Sequence, residues 1–350
     1  MRWTVFCRVV DNFGDIGFAW RLAADLGRRG VEIRLAVDDP RPLAWMAPGG
    51  APRVEVMTWQ AASRAPADAW IETFGCGLPE EEPLVPARVR VNVEHLSAEA
   101  YVERSHGRPS PRFDKRGEPG PLWFFYPGFS EQSGGLLLET GLLRQRAHFG
   151  DGRGWLRDLG IERHAGERCV SLFCYRNPAL AEWLEVLGAA PTLLLLTPGP
   201  ASEQCEALLG PGLRRRSLRA VRLPALDQAG FDRLLWSTDL NFVRGEDSLV
   251  RALWAGTPFV WQLYPQDDGA HGLKLDAFLD RFLEAAPAPL AGLRSLFASW
   301  NGFDAPNQAS AALAGVDAEL WATHCRQFRE RCMARGNLTS ALLDFVASKG

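Results

Sequence analysis

Short apolar runs alternate with amphipathic stretches along most of this chain. Residues 4–10 are largely apolar, residues 18–28 repeat apolar positions with helical spacing, and residues 31–37 are apolar again. This order predicts a strand, a helix and a strand, the βαβ unit from which parallel sheets are built. Further strands are predicted at residues 54–57, 70–73, 89–93 and 122–125. The first part of the chain is therefore predicted to form a doubly wound α/β domain.

The alternation is interrupted once and then resumes. Residues 146–168 are rich in charge and glycine. After them, strands are predicted at residues 169–175 and 192–196, with a helix at residues 180–187 between them. The resumed pattern predicts a second doubly wound domain.

These patterns predict the following division of the chain: a first domain of residues 1–150, a linker of residues 151–168 and a second domain of residues 169–335. A final helix over residues 336–350 is a candidate to pack back on the first domain. Ligands of doubly wound sheets bind outside the carboxyl ends of the strands. We therefore expect the chemistry in a cleft between two Rossmann-like domains.

Length, charge and cysteine usage exclude several classes of protein. A chain of 350 residues is longer than one typical core allows. The formal net charge of −3 gives no basic footprint for nucleic acid. The N-terminal apolar stretch is interrupted by the charge of Arg8, so it does not fit a signal peptide. No stretch reaches the roughly 18 apolar residues that a membrane span requires. We therefore expect a cytoplasmic protein without nucleic-acid or membrane partners. The seven scattered cysteines favour neither a disulfide framework nor a metal site.

The segment from residue 239 to residue 266 carries the clearest ligand-binding pattern. It reads as a strand at residues 240–243, a polar turn at residues 244–248, a helix at residues 249–255 and another strand. The N–H groups at a helix start attract anions, and Arg244 adds a positive charge beside them, so a nucleotide diphosphate is a suitable ligand. An ordinary capped helix between two buried strands explains the same pattern.

Three side chains of this polar turn suggest different tasks. Ser248 and backbone N–H groups suit a phosphate. The Glu246 carboxylate would be repelled by a diphosphate. It is better suited to bind sugar hydroxyls, a protonated group or the acceptor. Asp247 is a candidate cap of the helix.

A second polar turn, residues 11–17, follows the first predicted strand. It lacks the Gly-x-Gly-x-x-Gly spacing of a dinucleotide site and carries two carboxylates, Asp11 and Asp15, where a phosphate would lie. Like-charge repulsion favours a cationic or polar acceptor at this helix start. Alternatively, Asp11 ends the strand and Asp15 caps the helix.

Several other side chains are candidates for the site or, equally, for the core. Aromatic side chains near the second sheet could stack on a base: Phe173, Tyr175 and Phe231. The amide of Gln262 suits a base or sugar edge. His95 and His271 are candidates for acid or base work, although structural histidines are commoner.

Four ordered motifs together resemble the EarP family, bacterial protein-arginine rhamnosyltransferases that modify translation elongation factor P. The motifs are DNFGDIG at 11–17 with WRLA at 20–23, NVEHLSAE at 92–99, FFYPGF at 124–129 with GGL at 134–136, and residues 241–266. The resemblance covers most of the chain. It implies the GT-B fold, with two doubly wound Rossmann-like domains facing a cleft.

The resemblance also implies the reaction and the residues that perform it. L-rhamnose from the co-substrate dTDP-β-L-rhamnose is expected to move with inversion onto one arginine of elongation factor P, without a metal or other cofactor. The modified factor is then active in relieving ribosome stalling at polyproline. The implied catalytic residues are Asp11, Asp15 and Glu246, the two aspartates also binding the acceptor. The implied donor-binding residues, with Gln262 added for its amide, are Tyr175, Gln228, Phe231, Arg244, Asp247, Ser248 and Gln262.

Two other functions fit part of the pattern. A GT-B transferase with a different acceptor would share the fold and the polar turn at residues 244–248. A non-catalytic protein that binds nucleotide sugars would keep Arg244 and Ser248 but would not need Asp11 and Asp15. The presence of both carboxylates favours an enzyme.

Overall fold

The computed structural model describes residues 1–10, 13–77, 87–111, 121–266, 269–303, 313 and 315–350. The chain divides into two compact units. Unit 1 comprises Met1–Leu142 and Arg331–Gly350, and unit 2 comprises Leu143–Glu330. Among the described helices, none has both the length and the apolar character needed to cross a membrane.

Unit 1 is built on a sheet with the strand order β3-β2-β1-β4-β5-β7-β6. Its strands are β1 Arg2–Cys7, β2 Glu32–Val37, β3 Val54–Met57, β4 Ala69–Thr73, β5 Val89–Val93, β6 Pro109–Pro111 and β7 Pro121–Phe125. Neighbouring strands are parallel, except that β6 runs antiparallel to β7. Sheets of this kind are buried on both faces, which explains the nearly continuous apolar runs in the sequence.

Helices cover the unit 1 sheet. They are α1 Gly14–Arg28, α2 Leu43–Met46, α3 Trp59–Ser63 and α4 Tyr101–Ser105, followed at the end of the chain by the last helix, Leu338–Lys349. Successive residues of β1 point to opposite faces of the sheet and pack in two different cores. Val5 packs with α1, whereas Phe6 packs with Trp59 and Trp70 on the other face. The last helix buries Leu338 in the same core as Val5.

Unit 2 is built on a second parallel sheet, ordered β10-β11-β9-β8-β12-β13. Its strands are β8 Arg168–Leu172, β9 Thr192–Leu196, β10 Arg214–Arg215, β11 Leu218–Arg222, β12 Leu240–Arg244 and β13 Phe259–Gln262. The short β10 pairs antiparallel with β11 at one edge. Every residue of β9 is buried, as expected of a central parallel strand.

The remaining helices complete the chain. They are α5 Leu142–His148, α6 Arg153–Asp158, α7 Leu180–Leu187, α8 Pro200–Leu209, α9 Gln228–Trp236, α10 Gly245–Ala255, α11 Ala270–Leu283, α12 Leu293–Trp300 and α13 Ala318–Ala334, and the helix Leu338–Lys349 is α14. Aromatic side chains of α11 pack on β13: Phe282 lies 5.4 Å from Phe259, and Phe278 lies 5.2 Å from Trp261 between ring centroids.

The units differ in extent from the predicted domains. Residues 143–168, predicted partly as first domain and partly as linker, lie in unit 2. The reason is apolar burial, since Leu156 and Ile161 pack in one cluster with Leu193. At the other end, residues 331–335 lie in unit 1 together with α14. The Arg335 guanidinium donates to the Phe129 carbonyl, which ties this segment to unit 1.

Candidate functional site

Three neighbouring strands of unit 2 bring the predicted donor-binding residues to one edge of the sheet. β8, β12 and β13 are adjacent and parallel. Arg244 ends β12, Gln262 ends β13, and Tyr175 follows β8. The carboxyl edge of a doubly wound sheet is where such folds bind ligands.

Arg244 is held against two aromatic rings at this edge. Its guanidinium carbon lies 4.6 Å from the ring centroid of Phe173 and 4.5 Å from that of Tyr175. Nη1 donates to the Cys174 carbonyl at 3.3 Å. A guanidinium has five N–H donors, and within the described part of the chain this side chain uses one of them in a hydrogen bond. The cation is thus fixed in place and retains donors for an anionic group.

The aromatic residues around Arg244 support one another. Phe231, from α9, packs edge-on against Phe173 with centroids 5.3 Å apart. Tyr264 packs edge-on against Tyr175 at 5.4 Å and is more than half exposed. The backbone N–H of Tyr175 donates to Oε1 of the buried Gln262 at 2.8 Å. Gln262 therefore positions the Tyr175 backbone, a task that its amide chemistry did not reveal in the sequence.

Helix α10 begins earlier than the apolar spacing predicts. It starts at Gly245 instead of residue 249, so Glu246, Asp247 and Ser248 lie in its first turn. Gly245 has a φ of 65°, which favours glycine. Asp247 was expected as a cap, but the N-cap residue of this helix is Arg244, which makes no side-chain capping bond. The first N–H groups of this helix directly follow Arg244 in the chain, which is the order expected of an anion site.

Ser248 and Glu246 both have protein partners in this first turn. The Ser248 hydroxyl accepts from the Arg244 N–H at 3.0 Å and donates to the Arg244 carbonyl. The Glu246 carboxylate forms an ion pair with the ammonium of Lys274 on α11. Sequence reasoning missed Lys274, because tertiary packing alone brings it to Glu246 from 28 residues away.

Gln228 and Phe231 are placed by the start of α9. The helix begins at Gln228, and its N-cap residue Asp227 accepts a hydrogen bond from the Gly230 N–H at 2.6 Å. The next residue after Phe231 is Asp232, whose carboxylate binds Arg251 of α10 through two hydrogen bonds. The helix that carries Phe231 is thereby joined to the helix that follows Arg244.

The acidic turn of unit 1 is described in part. Asp11 lies outside the described residues. Asp15 lies in the first turn of α1, is 8% exposed, and its Oδ2 accepts from the Val10 N–H at 2.7 Å. The N-cap residue of α1 is Phe13, without a side-chain capping bond, so the alternative in which Asp15 caps this helix is wrong. Asp15 instead closes the loop between β1 and α1.

An aromatic group lies at the same edge of the unit 1 sheet. Phe74 follows β4, and His95 follows β5, with their rings stacked 4.5 Å apart. Phe18 of α1 lies 5.0 Å from Phe74. The φ of Phe74 is 59°, a conformation that costs a bulky residue roughly 1–3 kcal/mol. Its N–H donates to the Val93 carbonyl at 2.7 Å, which helps to hold this conformation.

Two further groups, His271 and Cys7, interact with neighbouring residues of the protein. In unit 2, Nδ1 of His271 accepts from the Gln266 N–H at 3.2 Å, and the ring packs against Phe303. Burial raises the pKa of the Cys7 thiol in unit 1, and the charge of nearby Asp15 raises it further. Cys7 is therefore a neutral thiol at physiological pH. In the described ranges, no group of three or more His, Cys, Asp or Glu side chains could hold a metal ion.

Two mostly parallel sheets, each covered by helices, match the architecture of the GT-B fold. A solved spinosyn rhamnosyltransferase, SpnG, shares this fold with a TM-score of 0.53 and 13% identity over 98% of this chain and 99% of that one. The sequence model of the family described as Elongation-Factor P (EF-P) rhamnosyltransferase EarP matches residues 3–347. The chain belongs to the EarP family.

Similar proteins agree with this membership. A protein-arginine rhamnosyltransferase of Pseudomonas aeruginosa is 40% identical, covering 99% of this chain and 98% of the relative. A solved structure described as the basis for EarP-mediated arginine glycosylation of translation elongation factor EF-P is 31% identical. It has a TM-score of 0.72 and covers 99% of both chains. The predicted family, the GT-B fold and the prediction that the chain is a glycosyltransferase are confirmed.

Proposed function

We propose that this enzyme transfers L-rhamnose from dTDP-β-L-rhamnose to an arginine side chain of translation elongation factor P, with inversion at the anomeric carbon. Membership of the EarP family over residues 3–347 supports the donor sugar and the acceptor. The observation that carries the donor assignment is the position of Arg244. Its guanidinium is held over Phe173 and Tyr175, and its backbone immediately precedes the first turn of α10.

The donor half of the reaction uses the charges of unit 2. The diphosphate binds between the Arg244 guanidinium and the N–H groups at the start of α10. Phe173 and Phe231 provide apolar faces for the thymine. When the bond between the anomeric carbon and the phosphate oxygen breaks, the electron pair leaves with dTDP. Arg244 and the helix start stabilise that charge without a divalent ion.

The acceptor half must overcome the weak nucleophilicity of a protonated guanidinium. The pKa gap between an ordinary aspartate and arginine is about 9 units, or about 12 kcal/mol, so full deprotonation before attack is too costly. In our proposal Asp11 and Asp15 bind the guanidinium and localise its charge away from the attacking nitrogen. As the C–N bond forms, the proton of that nitrogen passes to Asp15.

The anchoring of Asp15 fits this role. Its Oδ2 is held by the Val10 N–H, which orients the carboxylate. A carboxylate offers about four lone-pair sites, so this bond is compatible with a guanidinium N–H bound to the same group. The role of Asp11 rests on the sequence alone. Glu246, in the first turn of α10, is proposed to position the sugar.

Mass spectrometry of a reconstituted reaction tests the proposal. The purified enzyme is incubated with elongation factor P and dTDP-β-L-rhamnose, and the intact mass of the factor is measured. We expect the addition of one deoxyhexose, located on an arginine by fragmentation, and no addition when UDP-glucose replaces the donor. Nuclear magnetic resonance of the product should show an α-linked rhamnose. If the enzyme binds dTDP but leaves the factor unmodified, the acceptor assignment is wrong. A β-linked product would overturn inversion.

A further inference from the structure

Lys274 and Glu246 form an ion pair at the start of α10. Both side chains are 22% exposed, so each is largely removed from water. The pair is unusual in this chain, which has 39 basic residues but only three lysines: Lys115, Lys274 and Lys349. A lysine presents one compact positive charge, whereas arginine presents a broad planar fork. Lysine suits a place where a carboxylate must be neutralised and space beside it must remain.

The Trp261 side chain contacts both the helix that carries Glu246 and the helix that carries Lys274. The indole N–H of Trp261 donates to the Gly245 carbonyl at 2.8 Å, immediately before Glu246. The same indole packs edge-on against Phe278 of α11 at 5.2 Å. Phe278 lies four residues after Lys274 and therefore on the same side of that helix. Trp261 thus ties the start of α10 to the segment of α11 that carries Lys274.

The charge of Glu246 poses a problem for the proposed donor site. Glu246 is the second residue of α10, so its carboxylate originates in the turn whose N–H groups would receive the diphosphate. An unpaired carboxylate there would repel the diphosphate. The Lys274 ammonium, paired with Glu246, removes most of that repulsion without blocking the N–H groups.

We propose that Lys274 is a positioning residue that neutralises and orients Glu246, so that a nucleoside diphosphate can bind at the start of α10. This inference rests on the proposed donor function. It assigns Lys274 an effect through Glu246, without a contact to the phosphates. The consequence is specific: removing Lys274 should weaken diphosphate binding only while Glu246 carries its charge.

Calorimetric titration with dTDP, which requires no acceptor, tests the inference. Lys274→Met should weaken dTDP binding by about tenfold or more, corresponding to at least about 1.4 kcal/mol. Lys274→Arg, which keeps the charge, should recover most of the affinity. The decisive variant is Lys274→Met combined with Glu246→Gln, in which the repelling charge is also absent. We expect this double variant to bind dTDP about as tightly as Glu246→Gln alone.

A matched control uses other ion pairs of α11, which are formed with Arg294 of α12. Arg294 pairs with Asp276 and Asp280 on the exposed side of α11. Arg294→Met removes both of these ion pairs without affecting Glu246, and it should leave dTDP binding unchanged. Far-ultraviolet circular dichroism and the thermal midpoint show whether each variant is folded.

Three results would overturn the inference. Unchanged affinity in Lys274→Met would show that Glu246 needs no neutralising partner. A double variant as weak as Lys274→Met would show that Lys274 acts on the phosphates directly. Absence of dTDP binding in the wild-type enzyme would remove the diphosphate site, and the inference with it. Normal dTDP binding without rhamnosylation of elongation factor P would instead overturn the proposed acceptor alone and leave the role of Lys274 standing.

Discussion

Arg251 and Asp232 form a buried two-bond ion pair between α10 and α9. Nε and Nη2 of Arg251 donate to the two carboxylate oxygens of Asp232 at 2.7 and 2.8 Å. The side chains are 1% and 7% exposed. The pair joins the helix that carries Phe231 to the helix whose start lies beside Arg244. It therefore fixes two parts of the proposed donor site relative to each other.

We expect Asp232→Ala to destabilise unit 2 by about 3–5 kcal/mol, because it leaves the Arg251 guanidinium buried without its partner. The measurement is the urea transition followed by tryptophan fluorescence. Replacing both residues, Asp232→Leu with Arg251→Met, should lose much less than the sum of the single losses. If the loss of unfolding free energy in the double variant equalled the sum of the two single losses, the side chains would not be directly coupled.

Arg244→Lys tests whether the planar guanidinium matters beyond its charge. Lysine keeps the cation but loses both the fork and the fit over Phe173 and Tyr175. We expect dTDP binding to weaken by about tenfold in Arg244→Lys and by about a hundredfold in Arg244→Ala, as measured by calorimetry.

Arg233 provides a control for that series, because it is exposed on α9 and lies outside the proposed site. Arg233→Ala should bind dTDP like the wild type. If Arg244→Lys also bound like the wild type, the stacked guanidinium would have no special role. The Arg244 position would then act through charge alone.

Apolar runs made much of the fold predictable, whereas helix starts were not. The predicted strands at residues 54–57, 89–93 and 192–196 agree with β3, β5 and β9. Of these, β9 is buried throughout, as expected of a central parallel strand, whereas β3 is an edge strand whose residues are partly or fully exposed. Helices α1 and α10 begin four residues before the predictions at residues 18 and 249. Their first turns are polar, as helix starts favour, and polar residues show no apolar periodicity.

Partners that are distant in sequence could not be predicted from local patterns. Arg244 and Tyr175 were identifiable, since Arg244 follows one predicted strand and Tyr175 ends another. The pairing of Glu246 with Lys274, and the bond from Tyr175 to Gln262, arise when separate elements pack together. The sequence identified the chemistry of these side chains but not which of them meet.

Glu167 gives unit 2 a pH-dependent contribution to stability. Two hydrogen bonds from Arg219, at 2.6 and 2.7 Å, lower the pKa of the Glu167 carboxyl from 4.5 to about 2. A lowered pKa stabilises the folded state above the unfolded pKa, near 4.5, and this contribution is lost as the pH falls towards 2. Between pH 7 and pH 2, Glu167 should therefore lose roughly 1–3 kcal/mol of stabilisation.

The measurement compares Glu167→Gln with the wild type in urea unfolding across that range. The difference between the two proteins should be largest above pH 5 and should vanish near pH 2. Glu206→Gln is the matched control: Arg222 also lowers the pKa of Glu206, but this side chain is 31% exposed, whereas that of Glu167 is 9% exposed. Its removal should have no measurable effect. A pH-independent loss in Glu167→Gln would assign the effect to packing instead of charge.

Asp15→Asn separates the proposed base from the loop that holds it. The asparagine oxygen can still accept from the Val10 N–H, so the turn between β1 and α1 should keep its shape. The negative charge and the proton acceptor are lost. General-base catalysis contributes roughly 10²–10⁴-fold, so we expect the turnover number for rhamnosylation to fall by at least about a hundredfold. Affinity for dTDP should stay unchanged, because the proposed nucleotide-binding residues belong to unit 2.

Asp38 offers a close control for this experiment. Its Oδ1 accepts from the Val9 N–H at 3.0 Å, so both carboxylates hold neighbouring backbone groups of one segment. If Asp38 only anchors this segment, Asp38→Asn should keep a turnover number near that of the wild type. Turnover close to normal in Asp15→Asn, with dTDP affinity preserved, would remove Asp15 as the base. Equal losses in the two variants would show that segment geometry, and not proton transfer, limits the reaction.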